Sequence, residues 1–213
     1  MSRHPTHAHP HTHPKQPDIE DAPFTEYQVL AQALEELLVA KGVVTADSMR
    51  QGLEARDAAS HVGGARLVAH GWVDPAFEAR VLQSVNAAAV ELGLNLGAIP
   101  IHAVKNTPQV HNVIVCTLCS CYPTALLGGS PDWYKSRAYR SRVVREPRAV
   151  LEEFGTHLPA DVEVRVHDST AERRYVVIPM RPAGTEGMSE AELVAWVTRD
   201  SLIGTALPRI PQS

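Results

Sequence analysis

The chain has 213 residues, of which 44% are hydrophobic and 21% charged, with a formal net charge of -4. That is enough apolar material for one packed core plus an extension, and the acidic balance removes any electrostatic reason to expect nucleic acid or an anionic membrane as partner. Positions 1–24 hold no apolar stretch of the signal-peptide kind, and no uninterrupted apolar run reaches the roughly 20 residues needed to cross a bilayer, so a cytoplasmic chain is expected.

The opening stretch sets His4, His7, His9, His11 and His13 among Pro5, Pro10, Pro14, Pro17 and Pro23. Prolines at that density deny the backbone a helix or a sheet, so residues 1–24 are expected to be a disordered tail that either solubilises the chain or captures metal loosely. From Thr25 the pattern is helical. Thr25 and Gln28 have capping-box spacing, and Val29, Leu30, Ala33, Leu34, Leu37 and Leu38 recur at helical intervals before Gly42. A weaker helix is expected from Thr45 to about Ser60, with Gly63-Gly64 as its break. A third starts with Asp74 as N-cap and Pro75 behind it, carries Phe77, Val81, Leu82, Val85 and Ala89, and ends near Gly93. Residues 25–95 thus read as a helical arm that wraps a partner.

After Pro100 the composition turns β-branched. Val110 to Val115, Val162 to Val166 and Tyr175 to Ile178 predict strands, and Ser189 with Glu192 opens a last helix. The expected class is α+β: an N-terminal helical arm followed by a layered α/β domain over residues 96–205.

The chemistry is concentrated in Val113-Ile114-Val115-Cys116-Thr117-Leu118-Cys119-Ser120-Cys121-Tyr122-Pro123, which contains all three cysteines of the chain. Clustering within six residues excludes a disulfide framework and points to metal or redox chemistry. With only Ser120 between the last two cysteines, an ion held by both sulfurs lies against the backbone nitrogens of Ser120 and Cys121. Thiolates and deprotonated amides together favour a small, highly charged ion such as trivalent cobalt or iron. Three sulfurs and two nitrogens fill five octahedral positions and leave the sixth for water or substrate, which a Lewis-acid catalyst needs. Two plainer readings stand beside this one: a zinc-stabilised interaction module, with His111 completing a tetrahedron of ligands, and a set of buried thiols.

The segment Cys-Thr-Leu-Cys-Ser-Cys-Tyr-Pro, preceded by Asn106-Thr107-Pro108 and Val110-His111-Asn112, resembles the metal-binding loop of nitrile hydratase α subunits, a family that includes toyocamycin nitrile hydratase and the γ subunit of thiocyanate hydrolase. The similarity continues through Trp133-Tyr134-Lys135-Ser136, Tyr139 to Arg148, Arg181 to Gly187 and Val197 to Asp200. The resemblance implies that Cys116, Cys119, Cys121 and the amides of Ser120 and Cys121 ligate a non-corrin ion, with Cys119 matured to a sulfinic acid and Cys121 to a sulfenic acid. It implies cobalt over iron, because threonine at the position of Thr117 accompanies cobalt. It implies hydration of a small-molecule nitrile to an amide, with thiocyanate hydrolysis as the alternative. It also implies a β-type partner, as one chain or two smaller ones, whose arginines reach the oxidised sulfurs. Cys121, Ser120 and Tyr122 are the expected catalytic residues. One departure is Gly97, which stands where many members carry a glutamine.

Three further groups invite roles. Arg165 and Asp168 end a predicted strand and could pair beneath the claw loop. His111 is in phase with the strand that leads into it. The run Arg137, Arg140, Arg142, Arg145 and Arg148 lacks the interleaved aromatics of a nucleic-acid site and suits a subunit interface.

Overall fold

The computed structural model describes residues 25–58, 60–119 and 121–209. The expected disorder of the His/Pro-rich tail, and the position of Ser120, lie outside the described residues. The chain divides into two compact units, Met1–Met49 and Arg50–Ser213.

The first unit contains α1, Glu26–Ala40. Its capping box forms as expected: Thr25 Oγ1 accepts from Gln28 N at 3.3 Å while Gln28 Oε1 accepts from Thr25 N at 2.8 Å, satisfying donors that the first turn would otherwise leave open. Gly42, at φ +66°, ends the helix in a conformation that a side chain resists. None of the residues of α1 is buried, and Val29, Leu30, Leu34 and Leu37 stand exposed. Helix α2, Ala46–Ala58, crosses the boundary between the units and starts from a reciprocal Thr45–Ser48 pair.

The second unit opens with α3, Val62–Val73. The Gly63-Gly64 pair therefore does not break a helix but begins one. A Cβ on Gly64 would sit 2.8 Å from methyls of both Leu127 and Leu202, so the residue is small because other elements pack onto it. The helix expected from Asp74 to Gly93 is two: α4, Pro75–Gln83, and α5, Val85–Glu91. Ser84 between them is extended, and its hydroxyl caps Ala87 N, the local competition that makes serine a cap former.

The strands are β1, Ile101–Lys105; β2, Val110–Val115; β3, Glu163–Asp168; and β4, Arg174–Ile178. The first was not expected, because only Ile101 of its five residues is buried and no alternation marks it. Two parallel pairs form, β1 with β4 and β2 with β3. The register of the second sets Val110 against Glu163 and Val115 against Asp168. Short helices lie between β2 and β3: α6, Thr124–Leu127; α7, Asp132–Lys135; α8, Arg137–Arg142; and α9, Pro147–Glu153. After β4 come α10, Glu190–Val194, with the expected Ser189–Glu192 capping box, and α11, Arg199–Ile203. Among the described residues no helix is long and apolar enough to cross a membrane.

The core gathers Leu67, Phe77, Ile114, Leu126, Leu151, Ile178 and Leu202. Five consecutive residues of β2, His111 to Val115, are buried because both faces are covered. Helix α11 ends at Gly204, φ +92°, where a Cβ would collide with the Asn112 carbonyl and lie 2.9 Å from Val113 Cα. Strand β2 is thereby clamped at Asn112 and Val113, and its far end runs into the still-buried Cys116.

Candidate metal centre

Three sulfurs converge where β2 ends. Cys116 and Cys121 are buried and Cys119 is exposed, and the Sγ atoms of the three all lie within 4.8 Å of one another. Cys116 to Cys119 is 3.5 Å and Cys119 to Cys121 is 3.1 Å. Sulfur donors about 2.3 Å from an ion stand about 3.3 Å apart at a right angle and about 3.8 Å apart at the tetrahedral angle. Both of these edges lie nearer the right-angle value, so the sulfurs are spaced to share one small ion. Among the described residues no histidine or carboxylate joins the group. Burial, followed by the neighbouring Cys119 and Cys116 sulfurs, pushes the Cys121 thiol up to about 12, with Arg174 opposing. A cation is the counter-charge that lets such a cluster ionise.

The loop is held by its backbone. Tyr134 donates its hydroxyl to the Cys121 carbonyl at 3.0 Å, and Tyr139 donates to the Ile114 carbonyl at 2.7 Å, so two buried phenols bracket the cysteines on either side. Burial raises both hydroxyls above the ordinary tyrosine value and keeps them protonated donors. Arg140 Nη1 donates to the Cys119 carbonyl at 2.5 Å. Asp168 accepts from Thr117 N at 2.9 Å and from Thr117 Oγ1 at 2.5 Å. The parallel register makes that last contact: it sets Asp168 beside Val115, two residues before Thr117, across 51 residues of chain.

Asp168 therefore supports the loop, but not with Arg165, which pairs with Glu163 at the surface, at 2.9 and 2.8 Å. His111 does not reach the claw. It sits near the opposite end of β2, where Nε2 donates to the Gly204 carbonyl at 2.7 Å, which leaves Nδ1 to accept from Asn106 Nδ2 at 3.3 Å. Both nitrogens are used, so the histidine does not complete a zinc tetrahedron, and burial lowers its pKa. Asn106 and Asn112 extend the same bracket: Asn106 Oδ1 accepts from Asn112 N at 2.8 Å, and Asn112 Nδ2 reaches the Lys105 carbonyl at 2.9 Å. The Asn-Thr-Pro and Val-His-Asn motifs thus tie the two strand pairs together rather than touching metal.

Tyr122 is 6% exposed, packs edge-on against Tyr134 with centroids 5.0 Å apart, and has no hydrogen-bond partner for its hydroxyl among the described residues. Burial raises its pKa as well. Beside it a hollow of about 230 Å³ is lined by Leu96, Ile99, Ile101, Tyr122, Thr124 and Arg174. Gly97, at φ +72°, belongs to the loop that walls this hollow and sends no side chain into it. A hollow of about 460 Å³ elsewhere, walled by Pro108, His111, Met180 and Leu207, contains none of the cysteines.

The arginine run divides by task. Arg142 is paired with Glu146 and Glu153, Arg148 donates to the carbonyls of Leu158, Pro159 and Val162, and Arg140 holds the claw. Sequence reasoning missed Tyr134, Tyr139 and Arg140 as supports. Their positions fall inside the Trp-Tyr-Lys-Ser and Tyr-Arg-Ser-Arg segments, but nothing in a one-dimensional pattern says which carbonyl a phenol will reach.

A family model described as the nitrile hydratase alpha chain matches residues 25–206. The α subunit of the high-molecular-weight cobalt-containing nitrile hydratase of Rhodococcus rhodochrous is 47% identical over 192 residues, covering 89% of this chain and 95% of that one. A crystal structure of a thiocyanate hydrolase mutant superposes with a TM-score of 0.80 at 39% identity, over 88% of this chain and 92% of the other. A double mutant of an iron-type nitrile hydratase from Comamonas testosteroni Ni1 does so with a TM-score of 0.74 at 41% identity, over 88% and 94%. Relatives thus include both cobalt-containing and iron-type enzymes, and this chain, with its three converging sulfurs, belongs to the nitrile hydratase α-chain family.

Proposed function

We propose that this chain is the metal-bearing subunit of an enzyme that hydrates a nitrile to its amide. The observation that carries the reading is the convergence of Cys116, Cys119 and Cys121 at 3.1 and 3.5 Å on a loop with one residue between its last two sulfurs. On this proposal the three sulfurs and the amides of Ser120 and Cys121 hold a trivalent ion, and Thr117 favours cobalt over iron. The bound ion supplies Lewis acidity to a nitrile or a water molecule. In the overall reaction the oxygen of water bonds to the nitrile carbon and its two protons end on nitrogen.

The chain's own residues do the positioning. Asp168 fixes Thr117, Arg140 fixes the Cys119 carbonyl and Tyr134 fixes the Cys121 carbonyl, so the described backbone on both sides of the claw's last turn is anchored by the fold itself. Burial keeps Tyr122 protonated, and its hydroxyl, buried without a partner among the described residues in a side chain that lines the 230 Å³ hollow, is a donor that the fold does not use. With Cys119 and Leu118 exposed, the site needs a cover, and a β-type subunit is the proposed one. The exposed apolar face of α1 is a second surface for it.

Thiocyanate is the second reading. It is supported by the likeness to thiocyanate hydrolase. Assaying the assembled enzyme for amide formation against carbonyl sulfide release separates the two. Mass spectrometry of the mature peptide spanning Cys116 to Cys121 should show two oxygens on Cys119 and one on Cys121, with cobalt in stoichiometric amount. Unmodified thiols and stoichiometric zinc in active enzyme would overturn the proposal.

A further inference from the structure

A stripe of arginines runs away from the claw along one face of α8 and the turn that follows it. Arg137, Arg140, Ser141, Val144 and Arg145 line an open hollow of about 520 Å³ whose remaining wall is Thr117 of the claw loop. The spacing is that of one helix face, and from Arg137 to Arg145 it extends roughly 12 Å at 1.5 Å per residue. The nearby carboxylates are already engaged: Glu146 and Glu153 go to Arg142, and Asp168 goes to Thr117. Among the described residues Arg137, Arg140 and Arg145 carry no carboxylate partner. The guanidinium of Arg140 is half used, because Nη1 reaches the Cys119 carbonyl while Nε is buried without an acceptor. Val144 is 45% exposed within the stripe, and Leu118 at the tip of the claw loop is 86% exposed.

We infer that this stripe, with Leu118, is the docking surface for an acidic segment of the partner subunit. The inference rests on the proposal that the chain works with such a subunit. Three cations over 12 Å around an aliphatic side chain are too extended for one small anion, whereas arginine mixed with apolar contact is the composition of a protein interface. A carboxylate beside Arg140 adds a charge-assisted contact to the guanidinium whose Nη1 already holds the carbonyl of Cys119. Docking and claw geometry are then coupled through one side chain, and covering Leu118 removes solvent from the exposed sulfur.

The test uses the full chain and its purified β-type partner. For the wild type the Kd should rise steeply between 50 and 300 mM salt. In the Arg137→Gln/Arg145→Gln double variant it should be roughly tenfold weaker at low salt, with a flattened salt dependence. The melting temperature of the isolated chain should not change, since neither side chain has an ion-pair partner to lose. Unchanged Kd and salt dependence would overturn the inference. So would saturable 1:1 binding of inorganic phosphate to the isolated chain that vanishes in the double variant while partner affinity does not move, because the hollow would then be a small-anion site. A complex whose affinity depends on these arginines but which hydrates neither nitriles nor thiocyanate would support the docking surface and sink the enzymatic reading. An active complex indifferent to them would do the reverse.

Discussion

Three buried tyrosines surround the claw, and removing one oxygen from each separates structural from functional roles. Tyr134 and Tyr139 spend their hydroxyls on the carbonyls of Cys121 and Ile114, at 3.0 and 2.7 Å, while the Tyr122 hydroxyl has no partner among the described residues. In each case phenylalanine keeps the ring and its aromatic packing. Deleting one partner of a buried hydrogen bond leaves a desolvated carbonyl and costs about 1–3 kcal/mol. For a chain of this size each kcal/mol moves the melting temperature by about 2–4 °C, so Tyr134→Phe and Tyr139→Phe should each melt at least about 2 °C below the wild type. Tyr122→Phe removes a hydroxyl that burial leaves unsatisfied, and it should melt at the wild-type temperature or slightly above it. The metal readout divides them differently. Of the three, only Tyr134 touches a backbone carbonyl inside the claw, so the rate at which a chelator strips the proposed metal should rise in Tyr134→Phe and stay near wild type in Tyr139→Phe. If Tyr122→Phe is the more stable protein and the assembled enzyme is the slower catalyst, the hydroxyl is retained for function at a cost in stability. Equal melting temperatures for all three variants would refute the reasoning, as would a Tyr122→Phe variant destabilised as much as the other two.

Gly204→Ala should be severely damaging, because φ of +92° alone costs a side chain about 1–2 kcal/mol and the added carbon would collide with the backbone of β2. Denaturant unfolding should show a loss of more than about 3 kcal/mol or no folded protein, and a variant as stable as wild type would refute the close approach. Acid should destabilise the chain from about pH 6.5 downward. Below its ordinary value of 6.5 an unfolded His111 takes up a proton that the buried imidazole, its pKa lowered by desolvation, does not, so stability is full above that pH and is lost as pH falls. Titration of the His111 ring by NMR at an ordinary value would remove this contribution.

Features that depend on neighbours in sequence were legible in the residues. The capping boxes at Thr25 and Ser189 and the strand Val110–Val115 form as read, because each is decided within a few residues by hydrogen-bond geometry or side-chain shape. The claw is legible for the same reason: one residue between two cysteines leaves little freedom about where the sulfurs go. Where a residue's role depends on a distant element, the pattern misled. Gly63 and Gly64 have the composition of a helix break, yet Gly64 is small to admit Leu127 and Leu202, and a helix runs through both. The serine at 84 divided a long helical period because its hydroxyl competes for Ala87 N, an outcome that periodicity does not register.

The sequence by itself determined the cluster of three cysteines, the helical start, the mixed class and the likeness to a family, since all of these are written in short spacings. Only the tertiary structure decided what holds that cluster in place. Asp168 meets Thr117 because two strands run parallel in one register; Tyr134 and Tyr139 meet the backbone on both sides of the claw because α7 and α8 fold back over it; His111 is kept from the cysteines because Gly204 claims its ring. Each is a contact across 13 to 93 residues of chain. Such contacts are fixed by how whole elements pack, and packing depends on all the residues of the core at once rather than on any local pattern.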